Sequence, residues 1–96
     1  MGKTVLKIYE TTDATKADFK VYLTTLRAEA DLVVYKAPNS RGVRRDGYWF
    51  FVPKATEAEH CFYKVFQRFN CDLVICYTTS KYEAGWQNET MKYLLD

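Results

Sequence analysis

Three short segments of this chain are apolar on both of the faces that an extended strand presents. In Tyr48-Trp49-Phe50-Phe51-Val52, the side bearing Tyr48, Phe50 and Val52 is opposed by Trp49 and Phe51. Asp72–Tyr77 sets Leu73, Ile75 and Tyr77 against Val74 and Cys76, and Asp31–Tyr35 sets Leu32 and Val34 against Val33 and Tyr35. An antiparallel sheet with one wet face alternates apolar with polar residues. These segments scarcely do, and an apolar face left bare would exceed the patch a soluble monomer tolerates. Any fold for this chain therefore has to cover both sides of its strands.

The rest of the pattern supplies the other elements. Thr4–Glu10 alternates as a strand, with Leu6 and Ile8 on one side. Phe19, Leu23, Leu26 and Ala30 follow Thr11-Thr12-Asp13 at spacings of four, three and four, which predicts an amphipathic helix. Thr56-x-x-Glu59 is a capping box opening a second helical stripe of Ala58, Phe62, Val65, Phe66 and Phe69. The turn-rich loop Ala37–Gly47 joins the second and third strands as a hairpin with a basic tip. A second capping box, Ser80-x-x-Glu83, begins a helical tail.

The order β-α-β-β-α-β predicts a ferredoxin-like α+β fold: an antiparallel four-stranded sheet with two helices on one face, plus a C-terminal helical tail. The expectation is a single domain over residues 1–96, with a core of 3–79 and a tail of 80–96. Two helices shield only one face. The second then needs the tail, another copy of the chain, a partner protein or stacked nucleobases.

Composition narrows the function classes. Aromatic residues make up 17% of 96 residues, more than so short a chain buries with ease. The formal charge is only +2, but residues 36–54 hold the basic surplus: Lys36, Arg41, Arg44, Arg45 and Lys54 against Asp46. No run of eighteen apolar residues occurs and the N-terminus alternates, so neither a membrane span nor a secretory signal is expected. An odd count of three cysteines without a leader points to free thiols in a reducing, cytoplasmic setting. His60 and Cys61 are helix neighbours in this reading and diverge by about 100°, so they make no nucleophile–base pair. Cys71 and Cys76 lack metal-ligand spacing. Nucleotide-loop, hydrolase and kinase signatures are missing, so neither catalysis nor a cofactor or metal is expected.

What remains is binding. Arg44-Arg45-Asp46-Gly47-Tyr48-Trp49-Phe50-Phe51-Val52 resembles the third-strand signature of RNA recognition motifs over about nine residues. That resemblance implies Tyr48 and Phe50 as base-stacking rings and the arginines as phosphate contacts. The sequence departs from the signature at Asp46, Trp49 and Pro53, so no membership is read from it. The leading expectation is a small non-catalytic protein that docks onto a protein partner as an inhibitor or regulator. Viral accessory and counter-defence proteins are one such class. Its contact residues would be Arg41, Arg44, Arg45, Tyr48 and Phe50, with Trp86 from the tail, the residue types that dominate interface energies. The alternative is a single-stranded RNA or DNA binder using the same face and loop. A homodimer closing sheet on sheet is the third option.

Overall fold

The computed structural model describes residues 4–95. It corrects the ferredoxin-like expectation. Six parallel strands close into a barrel: β1 (Leu6–Glu10), β2 (Phe19–Leu23), β3 (Leu32–Lys36), β4 (Tyr48–Phe51), β5 (His60–Val65) and β6 (Leu73–Thr78). Their order around the wall is β4-β1-β5-β2-β6-β3, and a parallel β3–β4 pairing closes it. A two-residue strand β7 (Gly85–Trp86) lies antiparallel on the start of β3. The tail is thus part strand, and ends in a 3-10 helix over Glu89–Leu95.

Both expected amphipathic helices are strands. Phe19, Val21 and Leu23 alternate with Lys20 and Tyr22 as readily as they follow a helical stripe, and β-branched and aromatic content tips β2 and β5 towards extended chain. The expected β3–β4 hairpin is also absent, because the two strands run parallel and pair only at Tyr35–Tyr48 and Lys36–Trp49.

The connections explain the two-sided apolar strands. Five of them skip a strand, and each carries a three-residue 3-10 turn that packs on the strand skipped. Ala14–Lys16 lies on β5, Arg27–Glu29 on β6, Ala55–Glu57 on β1, Arg68–Asn70 on β2 and Lys81–Glu83 on β3. The turn starts recur thirteen residues apart, at 14 and 27 in one half and at 55, 68 and 81 in the other. Val33, Val74 and Cys76 face outward yet are buried beneath these straps. No second copy, partner or nucleobase is needed to cover the outer face there. Because β5 sits between β1 and β2, under the strap that joins them, the chain is threaded beneath its own connection; β6 is threaded likewise under the β2–β3 strap. Such threading is rare in proteins.

The core fills the barrel. Leu6, Ile8, Phe19, Val21, Leu32, Val34, Trp49, Phe62, Leu73 and Ile75 meet inside it. Full burial of each large side chain stabilises the fold by about 1.5–3 kcal/mol. Met91, Leu94 and Leu95 of the terminal helix pack on this core, together with Trp86.

Where the parallel strands begin, the first backbone N–H groups need acceptors. Four acids supply them. The Asp18 carboxylate accepts from Cys61 N–H at 2.8 Å, Asp31 from Val74 at 3.0 Å, Glu59 from Lys7 at 3.1 Å and Asp72 from Lys20 at 2.8 Å. Each acid's own N–H donates back to the carbonyl of the same partner, at 2.7–2.9 Å. The expected capping-box role of Glu59 is therefore replaced by one that joins two strands.

Candidate interaction cleft

One stretch of wall has no strap. The segment between β3 and β4, residues 37–47, forms no 3-10 turn, and the two strands it joins are adjacent. Outside this seam lies a cleft of about 870 Å³. Its floor includes Tyr35 and Tyr48, whose ring centroids are 5.3 Å apart and tilted by 55°. Pro38 and Val43 stand on one side, and Lys81 and Tyr82 on the other. The Tyr48 hydroxyl donates to the Lys81 carbonyl at 3.2 Å, which ties the strap over β3 to the floor. Tyr82 is 88% exposed, with the Lys81 ammonium 5.5 Å from its ring centre. The charged lining is Arg45 and Lys81 against Asp46, a net positive cleft.

A second cleft of about 360 Å³ opens where β1, β4 and β5 begin, beside the terminal helix. Arg45, Asp46 and Tyr48 separate the two and border both. Within the second, Arg44 is held by Glu59 at 2.5 Å, and its Nε donates to the Thr4 carbonyl at 2.9 Å. Burial pushes the Glu59 carboxyl up, but the hydrogen bonds from Arg44 and Lys7 and the charges of Arg44 and His60 outweigh it and hold it below its ordinary value. Lys92 reaches Asp46 at 3.3 Å.

The candidate residues divide accordingly. Arg45 and Tyr48 border both clefts, while Trp86 and Arg44 border the second. Arg44 is engaged in fastening the loop to β5's approach. Arg41 and Phe50 border neither cleft. Arg41 is exposed, its backbone N–H donating to Asn39 Oδ1 at 3.0 Å, and Phe50 is half-buried on the outer wall. The expected open sheet face shared by Tyr48 and Phe50 does not exist, since both lie on a barrel wall. Tyr35, Lys81 and Tyr82 were missed. Tyr82 was placed in a helical tail, and only knowledge of the strap over β3 brings it to the seam. His60 Nδ1 lies 3.9 Å from an Asp18 carboxylate oxygen. Among the described residues, no group of three or more His, Cys, Asp or Glu side chains is placed to hold a metal.

Fold and clefts together define a class: a closed parallel barrel whose strands are threaded beneath their own crossings, with its binding-sized hollows at the unstrapped seam and strand-start rim. The chain matches the 7(1) septoil knot domain family over residues 5–87, and belongs to that family. No curated protein and no solved structure matches it. No described helix is long and apolar enough to cross a membrane.

Proposed function

We propose that this protein is a non-catalytic binding module that docks an acidic segment of a protein partner in the seam cleft, and so acts as an inhibitor or regulator by occlusion. The observation that carries this reading is the coincidence of the unstrapped wall with exposed Tyr82 and a net positive lining from Arg45 and Lys81. Tyrosine and arginine are the residues that most often anchor interfaces. Cationic lining favours an acidic partner through steering and charge pairing. Single-stranded nucleic acid suits the cleft less well. Stacking needs open ring faces, whereas Tyr35 and Tyr48 pack against each other and leave Tyr82 as the one highly exposed ring that lines this cleft. An odd number of cysteines supports a reducing, cytoplasmic setting.

The test is selection of binders from a displayed peptide library. Acidic peptides carrying an apolar anchor are expected, with binding at least tenfold weaker for Arg45→Glu and for Tyr82→Ala while urea midpoints stay unchanged. Recovery of no peptide sensitive to either substitution contradicts the proposal. So does low-salt binding of a single-stranded oligonucleotide that Tyr82→Ala abolishes.

A further inference from the structure

Two residues that border the second cleft carry polar groups without a partner among the described residues. Trp49 is only 1% exposed, and its indole Nε1 has no hydrogen-bond partner among the described residues. A buried N–H without an acceptor is uncommon, and indole is a donor only. Trp49 borders the second cleft and not the seam cleft. The other group is Arg45, which has no ion-pair partner among the described residues, whereas Arg44 and Lys92 are paired with Glu59 and Asp46. The rest of the lining combines apolar Leu6, Trp86 and Leu95 with His60 and the paired Arg44–Glu59 and Lys92–Asp46. The volume, about 360 Å³, falls at the small end of the range for small-molecule sites.

We infer that this cleft is a binding site for a small amphipathic organic anion, an aromatic or branched aliphatic carboxylate. Its acid group meets Arg45 and its apolar body lies against Leu6, Trp86 and Leu95. An acceptor atom on the ligand gives the Trp49 indole the partner it lacks. Since the Nε1 atom is sealed in the free protein, entry requires the side chains above it to shift. Leu95, on the 3-10 helix Glu89–Leu95, is the wall taken to shift. The site shares Arg45 with the proposed peptide site but is distinguished from it by Tyr82, which borders only the seam cleft.

Both tryptophans of the chain border this cleft, which provides a direct readout. The experiment titrates the whole protein with 2-naphthoate by calorimetry and by tryptophan emission, with inorganic phosphate as the parallel probe. Expected are one-to-one binding of naphthoate with a change in emission, phosphate binding at least tenfold weaker, and naphthoate affinity at least tenfold lower in Arg45→Glu but unchanged in Tyr82→Ala. Trp86→Phe, which keeps an apolar wall, isolates the Trp49 signal and is expected to retain the emission change. No naphthoate binding, equal binding by Arg45→Glu, binding lost in Tyr82→Ala, or phosphate binding as tightly as naphthoate each overturns the inference. Loss of peptide docking with naphthoate binding intact would strike the seam-cleft reading alone.

Discussion

Single residues at the two ends of the barrel do opposite electrostatic work. At the strand starts, carboxylates accept otherwise unmatched N–H groups, as Asp72 does for Lys20. At the strand ends, Lys36 lies over the rings of Tyr77 and Phe51, its Nζ 4.2 and 5.3 Å from the centroids. Burial, with the charge of Glu10, pushes the Tyr77 hydroxyl up to about 12. The folded state therefore holds that proton more tightly than the unfolded chain. This contribution is complete below the ordinary tyrosine value near 10, and is lost as pH rises from there through about 12. Tyr77→Phe removes the ionising group, so urea denaturation across that range is expected to show a shallower alkaline decline in the variant. An unchanged slope would place the alkaline loss elsewhere.

Elements show why part of this fold was legible and part was not. Periodicity located β1, β3, β4 and β6, and the two-sided apolar runs were a sound sign of strands buried on both faces. Such runs are what parallel strands look like, but they were assigned to an antiparallel sheet in want of a cover. The cover is the straps, whose three-residue turns leave no periodic trace. Phe66 and Phe69 looked like a helical stripe, but they are 85% and 82% exposed, beyond the end of β5 and in the following turn. For the candidate site, Arg45, Tyr48 and Trp86 were legible as residue types, while Tyr35 and Tyr82 depend on the strand order. The turn-rich loop Ala37–Gly47 does end in a turn at Asp46-Gly47, although it does not close a hairpin. Gly47 has φ +83°, and a Cβ there would lie 2.4 Å from the Val33 carbonyl oxygen. Gly47→Ala is expected to cost about 3 kcal/mol in a urea melt, towards the upper end for held backbone strain. Gly42→Ala is the control, since its Cβ meets only Val5 Cγ2 at 3.6 Å. Equal loss in both would refute the role given to Gly47.

For the molecule as a whole, strapping divides the wall into a locked part and a yielding part. Strands β2, β5 and β6 pair along three or four registered positions and lie under or between straps. The β3–β4 seam is closed by the Tyr35 N–H to the Gly47 carbonyl and the Ala37 N–H to the Trp49 carbonyl, each 2.8 Å, with no turn laid across it. Local opening is set by how few contacts must break. The wall proposed to receive a partner is thus the one the threading leaves out. Residue-resolved amide hydrogen exchange on the free protein tests this directly. The account predicts that the Tyr35 and Ala37 amides exchange by local opening, well ahead of those in the β2–β5 ladder, which exchange only with global unfolding. Equal protection at the seam and in that ladder would contradict it.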